Sequence, residues 1–489
     1  MNSRVRFLIG FIFATYGSQA MLPAATTEQG RLAEVIAHDE GIPADGVTPA
    51  TEAIQRAIDK LAAGGGGTLR FTAGKYLTGT VNLRPHTRLF LEREALLMGS
   101  LNPADYPAVG EFFDGRGSKC NRALLNAREA TDVKISGPGT IDGQGDLMTG
   151  MNPRPFLVRF QDCTDAVLED VTLKRASMWT CHLWGSTNVL VNRITIQSNP
   201  HGANNDGIDI DGSRDVTISD CSITSGDDAV CLKATVDRPC RGIRIIRCSM
   251  DTLWNGFKIG TESVGDFEDI SVTDCDFVRN TKGGIRIYSV DGSNIRGVRL
   301  ENIRLRDVNL PLYIRLGSRM RAFRTGDHPR ERPGSISGIV VRNVSGTAKR
   351  SQGTVLISGI PGFPVRDVKL ENLDLTVPGG DDGSKLGIPM QERENAYPEP
   401  YTVFGPLPAY GLVLRHVNDC TFSNVTVRCV KTDARPAVAC FDTGNLTLAS
   451  MHFLNPPDNP PAGLLVRDSP PGSVRCENWN PVQKPYIPR

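Results

Sequence analysis

The sequence predicts an all-β protein: a right-handed parallel β-helix, a single-stranded solenoid with an N-terminal capping helix. Three observations point there. Similar short segments recur about every 27 residues through the middle of the chain, each is rich in β-branched residues, and one amphipathic stretch precedes the first of them.

The repeat governs the rest, because self-similarity at a fixed period marks stacked structural units. VLEDVTL (167–173), VLVNRITI (189–196), VTISDCSI (216–223), IRIIRCSM (243–250), ISVTDCDF (270–277) and VRLENIRL (298–305) each set alternating apolar residues around a central, mostly polar pair. VVRNVSG (340–346), VKLENLDL (368–375) and CTFSNVTV (420–427) continue the pattern. Each reads as two short strands with a turn between them. The residue after the pair is Val171, Ile194, Cys221, Cys248, Cys275 and Ile303, at steps of 23, 27, 27, 27 and 28. Such a period is too short for strand–helix–strand units and fits coils stacked about 4.8 Å apart. Cys221, Cys248 and Cys275 then form an inward column, packing as small hydrophobes.

Later steps of 41, 29 and 52, to Val344, Leu373 and Val425, mark insertions. The largest, near 377–409, is rich in Pro and Gly. It reads either as part of a binding face, where solenoid insertions gather, or as a surface loop.

At the other end, Thr48 reads as a helix cap with Pro49 at the first helical position, and Ala53, Ile54, Ala57, Ile58 and Leu61 make one apolar stripe. Gly64 to Gly67 end the helix, which plugs a solenoid that must protect its first edge. The expected organisation is a signal peptide over 1–20, the cap helix and first coils over 28–110, and the catalytic β-helix over 111–489.

The signal peptide is read from Arg4 and Arg6, the apolar run Phe7 to Ala14, and Ser18-Gln19-Ala20. Secretion or a periplasmic location is expected. That run is well short of the about 20 residues that span a bilayer, so no membrane partner is expected. Lys and Arg number 55 against 54 Asp and Glu, which leaves no global field to draw nucleic acid. Export permits disulfides among the 12 Cys, without fixing their pairing.

A second stackable set lies beside the repeat: NDGIDID (205–211), GDDAVCLK (226–233), WNGFKIGTE (254–262) and GGIRIYS (283–289). Aligned by coil, they put Asp206, Asp228, Asn255 and Gly283 in one column. Asp209, Cys231, Lys258 and Arg286 form a second, three residues on. Asp206 and Asp228 on adjacent rungs, with Asp227 beside the latter, repel one another and titrate as a coupled set, one member keeping a proton near neutrality. Glycoside hydrolysis needs such a protonated acid for the leaving oxygen and a base for water, about 6.5–9.5 Å apart in an inverting enzyme. Asp-rich turns serving only local hydrogen bonds, and a Ca²⁺ site, are the competing readings.

The strings Asn204-Asn205-Asp206-Gly207-Ile208-Asp209, Gly226-Asp227-Asp228, Asn255-Gly256 and Arg286-Ile287-Tyr288 resemble, in order and spacing, the motifs of the polygalacturonase family, glycoside hydrolase family 28. Those are usually Asn-Thr-Asp, Gly-Asp-Asp, Gly-His-Gly and Arg-Ile-Lys. The resemblance implies that Asp227 is the general acid, that Asp206 and Asp228 hold and activate water, and that Arg286 binds substrate. It also implies inversion, no metal and no cofactor. Two positions depart: Asn255 stands where the family has His, and Tyr288 where it has Lys. Lys258 or Lys233 would supply the missing charge from a neighbouring rung.

Candidate substrate-binding residues are therefore Arg286, Lys258, Asn255, Tyr288, Asn204 and His182, the last in WTCHLW one coil before Asp206. Arg315 and Arg319 read as cleft charges or as ordinary solvated ones, and Glu262 as a further acid without a role. The expected partner is an acidic pectic polysaccharide, homogalacturonan or rhamnogalacturonan, met by a monomer. Rival functions are a Ca²⁺-dependent eliminase of the pectate-lyase type and a β-helix that binds glycan without cleaving it.

Overall fold

The computed structural model describes residues 33–324, 326–350, 353–460 and 462–484. The signal peptide expected over 1–20 lies outside them. No helix among the described residues is long and apolar enough to cross a membrane.

The chain forms the predicted parallel β-helix, and the ladders between successive coils run parallel throughout. The polar pair inside each repeat has a physical reason. Its second residue turns the chain with a left-handed backbone: φ is 63° at Asp170, 57° at Asp220, 57° at Asp274 and 56° at Asn302. Asp and Asn tolerate that conformation best among residues with a side chain. Stacked turns then bond to one another. Asn343 Nδ2 donates to Asn302 Oδ1, Asn372 Nδ2 to Asn343 Oδ1, and Asn424 Nδ2 to Asn372 Oδ1, each at 2.9 Å. Cys221, Cys248 and Cys275 come directly after these turns and point into the core, as expected. All twelve cysteines are free thiols and eleven are buried.

Seven strands build the outer face that carries the site: β1 (Phe156–Gln161), β2 (Cys181–Trp184), β3 (Ile208–Asp211), β4 (Val230–Ala234), β5 (Asn255–Ser263), β6 (Gly283–Ser289) and β7 (Leu312–Leu316). Strand alternation sends Ile208, Ile210, Val230, Leu232, Phe257 and Ile259 inward. The outward column runs Arg159, His182, Asp209, Cys231, Lys258, Arg286 and Tyr313, one per strand from β1 to β7. Its middle is the second predicted column.

The cap helix spans Thr51–Ala63 and buries Ile54, Ala57, Ile58 and Leu61. It starts later than the predicted Thr48 cap. The Thr48 hydroxyl donates instead to Asp45 Oδ2 at 2.7 Å, and Pro49 ends the strand Asp45–Pro49. Ala50 then takes the cap position without a side-chain bond.

The insertion leaves the strand Val368–Gly379 and returns at Leu412–Lys431. Its short helix Pro400–Phe404 lays Val403 and Phe404 against Tyr288 and Tyr313, on the outer face of β6 and β7. Arg315 anchors it, donating to Glu392 O at 2.9 Å. On the other side of the site, Phe112 packs over the outer face of β1 and β2, against Phe156, Trp179 and Trp184.

Candidate active site

Between these two coverings lies a cavity of about 320 Å³ over the outer face of β3, β4 and β5. Ligand sites typically enclose about 300–1,000 Å³. The acids reach it from the loops that enter the strands. Asp206 stands two residues before β3, and Asp227 and Asp228 stand just before β4. The ladder fixes their register: Gly207 N donates to Asp228 O at 2.9 Å, and Ala229 N to Asn255 O at 2.9 Å. Asn205 ties the two loops together, donating to Asn199 O at 2.8 Å and accepting from Gly226 N at 2.8 Å.

One oxygen from each of Asp206, Asp227 and Asp228 lies within 4.8 Å of the others. Each carboxylate has different company. Asp228 accepts from Asn255 Nδ2 and from Lys258 Nζ, both at 2.6 Å. Asp227 accepts the Asp228 N–H at 2.9 Å and the Asn204 N–H at 3.3 Å. Asp206 is buried, and its Oδ1 has no hydrogen-bond partner.

Those surroundings, burial first among them, change the proton affinity of several carboxyls here. Burial, reinforced by the charges of Asp209 and Asp227, raises Asp206 well above the ordinary carboxylate range. Burial and the charge of Asp228 raise Asp227. Burial also raises Asp209, although Lys233 Nζ lies 3.5 Å away. Glu262 goes the other way: burial opposes, but Lys233, Lys258 and Arg319 together draw it down to about 2. The cavity thus holds two carboxyls drawn up in proton affinity, Asp206 and Asp227, and one drawn down, Glu262.

Of the predicted residues, the structure brings Asp206, Asp227, Asp228, Asn204 and Lys258 to the cavity wall, with Asn255 behind Asp228. Three others do not face it. Arg286 is fully buried and spends its guanidinium on main-chain carbonyls: Leu310 O at 2.7 Å, Ile285 O at 3.2 Å and Lys282 O. Tyr288 packs edge-on against Tyr313, ring centres 5.3 Å apart, beneath the insertion. His182 lies in register with Asp209 instead of Asp206, sealed under Phe112 at 4.7 Å, and burial lowers it to about 4. In all three the outward strand position was right, and loops from elsewhere in the chain cover it.

The cavity also contains Trp179, Trp254, Arg321 and Tyr397, which the sequence does not single out, beside Lys233, Arg319 and Glu262, which it does. Trp179 sits one rung from Asp206, as Thr180 N donates to Asp206 O at 2.8 Å. Counting one 27-residue period back from Asp206 would have found it. Lys233 Nζ lies 4.6 Å from the centre of the Trp179 ring. Arg319 lines the wall and is held by Asp291, with Nε to Oδ1 at 2.9 Å. Glu262, Trp254, Thr261, Arg321, Tyr397 and the turn of Asp114, Gly115 and Arg116 complete it. Tyr397 arrives on the insertion, and no strand spacing announces where a loop will land.

The aspartate trio would also suit a hard cation such as Ca²⁺, which takes six to eight oxygen ligands. Lys258 already stands 2.6 Å from Asp228 Oδ2 and supplies positive charge at that corner.

Neighbouring carboxyls lining a cavity on a parallel β-helix are a setting suited to acid and base cleavage of a glycosidic bond. Comparison with known proteins sharpens this. Residues 111–391 match the family described as Glycosyl hydrolases family 28. The chain is 29% identical over 370 residues to a probable polygalacturonase of Vitis vinifera, covering 69% of this chain and 73% of that one. Among solved structures, a hyperthermoactive exopolygalacturonase from Thermotoga maritima superposes with a TM-score of 0.61 at 22% identity, covering 71% of this chain and 87% of its own. A family 28 exopolygalacturonase of Yersinia enterocolitica gives 0.66 at 19% identity, over 84% and 78%. The chain belongs to glycosyl hydrolases family 28. It is a glycoside hydrolase acting on O-glycosyl bonds.

Proposed function

We propose that this is an exported, monomeric hydrolase of acidic pectic polysaccharide, working by inversion with Asp227 as general acid and Asp206 and Asp228 as the groups that hold and activate water. The observation that carries the reading is the meeting of the three carboxylates, one oxygen of each within 4.8 Å of the others, with Asp227 raised in proton affinity and Asp228 ion-paired. In the step, water attacks the anomeric carbon and passes its proton to the Asp206–Asp228 pair. The glycosidic C–O bond breaks, and the proton of Asp227 goes to the departing oxygen. No protein–sugar bond forms. The trio is tighter than the about 6.5–9.5 Å usual for inverting carboxyl pairs, so the anomer of the product is a direct check on this step.

Acidic sugar is favoured by charge. Lys233, Lys258, Arg116, Arg319 and Arg321 line the cavity, and they stand where Tyr288 and the buried Arg286 cannot serve. Similarity to a probable polygalacturonase supports homogalacturonan as the first substrate to test; the Asn255 and Tyr288 departures keep rhamnogalacturonan as the second. Export rests on the basic and apolar N-terminal stretch.

The test is release of reducing ends from polygalacturonate, rhamnogalacturonan and a neutral glucan of similar length. Preference for an acidic pectic chain is expected. Equal turnover of the neutral polymer would overturn the substrate class.

A further inference from the structure

We infer that the cavity receives the end of a saccharide chain and not its interior, so that cleavage is exo. This deepens the proposed hydrolase reading and rests on it. A β-helix left bare on this face would offer an open trough along its axis, because every coil contributes one more outward strand. Here that trough is interrupted at both ends and along one side.

The first wall is the segment before the strand Ala123–Arg128. Phe112 sits over the outer face of β1 and β2, its ring 4.7 Å from His182 and 5.5 Å from Trp184. An antiparallel bridge between Phe113 and Lys119 makes a hairpin tip. Asp114 shapes it by accepting from Arg116 N at 2.9 Å and Ser118 N at 2.8 Å. The tip reaches the end of β5 so closely that any side chain at Gly115 would run into the Glu262 carboxylate.

The second wall is the insertion. Val403 and Phe404 bury Tyr288 and Tyr313, and Arg286 and Arg315 beneath are each about 1% exposed. A polymer therefore cannot continue over β6 and β7. The third is the segment after β7. Arg319 is fastened to Asp291 and donates to Thr261 O at 2.9 Å, and Arg321 Nη1 reaches Gly115 O at 3.4 Å, joining the third wall to the first. Arg321 and Gly115 stand 206 positions apart in sequence.

What stays open is the outer face of three rungs, a span of about 10 Å at about 4.8 Å per rung. The acids occupy it, and the walls on both axial sides leave no exit for a chain threaded past them. A chain end fits this shape. Arg116 and Arg321 on the walls carry charges suited to the carboxylate of a terminal uronic acid.

The experiment tracks product size and viscosity together, with the full chain acting on polygalacturonate, and repeats the digestion on galacturonide oligomers labelled at the reducing end. One short product from the first turnovers is expected, with viscosity nearly unchanged while reducing ends accumulate and with trimming confined to one end of the labelled oligomers. An early collapse in viscosity with a ladder of intermediate oligomers would overturn the inference and leave the hydrolase reading standing. Failure to release reducing ends from any pectic polymer would instead sink that reading, and this inference with it. A second arm replaces Asp114–Ser118 with Asn-Gly, a two-residue turn that keeps Phe113 opposite Lys119. Longer products are expected once the tip is gone. A product distribution identical to the unaltered chain's would overturn the role of this wall.

Discussion

Lys258 holds Asp228 across one rung of the helix, Nζ to Oδ2 at 2.6 Å, with both side chains almost entirely buried. They stand 30 positions apart in sequence, and little solvent is at hand to replace either partner. Removing one partner of a buried pair typically costs about 3–5 kcal/mol, because the remaining charge is left uncompensated. Lys258→Met should therefore lower both Tm and activity. Lys258→Arg should not restore full activity, since a planar fork does not reproduce the point contact of an ammonium. A Lys258→Met protein with unchanged Tm and turnover would show that the pair is incidental.

Asp227 is assigned the proton of the leaving oxygen. Asp227→Asn keeps size and the backbone hydrogen bonds yet removes that proton, so a fall of about 10²- to 10⁴-fold in kcat is expected, with KM and the circular dichroism spectrum little changed. A leaving group that needs no protonation, such as a fluoride, should recover much of the loss. Full activity of Asp227→Asn on polymer would refute the assignment.

Asp206 places function against stability. Its proton affinity is raised in the folded chain, so the folded state binds a proton the unfolded chain has already released. The contribution of Asp206 to stability is therefore fully present below the unfolded value near 4 and is lost as pH rises through the folded value. Asp206→Asn should accordingly raise Tm at pH 7 and change it little at pH 4, while activity falls by about 10²-fold or more. Thermal melts at the two pH values decide it; a lower Tm at pH 7 would show that the ionised acid stabilises the fold.

Trp179 supplies an apolar wall beside the acids, with Lys233 over its ring. Its removal should weaken binding more than chemistry: for Trp179→Ala, KM should rise about tenfold, equivalent to about 1.4 kcal/mol, with a smaller change in kcat. A drop in kcat alone would mean that Trp179 positions the acids and does not meet the sugar.

The parts legible in the sequence were those that a repeat makes local. Period and alternation place Asp206 over Asp228, and Asp209, Cys231, Lys258 and Arg286 in one column, because parallel rungs transmit register from coil to coil. What the period does not encode is which outward positions remain uncovered. Arg286 and Tyr288 hold the expected rungs, yet the insertion is laid over them by contacts such as Arg315 to Glu392, 77 residues apart. Phe112 does the same to His182. Tyr397 enters the cavity and Arg321 meets Gly115 for equally non-local reasons. Loops carry no repeat, so their landing points depend on side-chain packing that pattern reading does not reach.

Hydrolysis and elimination on this fold part over calcium. An eliminase would depend on a bound Ca²⁺ and leave a double bond in the new non-reducing end. The proposed reaction takes its acid from Asp227 and its positive charge from Lys258 and Lys233, so a strong chelator should leave the rate unchanged, and the products should gain no ultraviolet absorbance. Water added opposite the leaving oxygen inverts the anomeric centre, so an α-linked substrate should first yield the β-anomer, visible by proton NMR before mutarotation. Activity that vanishes in chelator and returns only with calcium would mean that Asp206, Asp227 and Asp228, one oxygen of each within 4.8 Å, serve as ligands and not as acid and base. An α-anomer first product would instead keep hydrolysis and discard inversion, in keeping with the closeness of the three carboxylates.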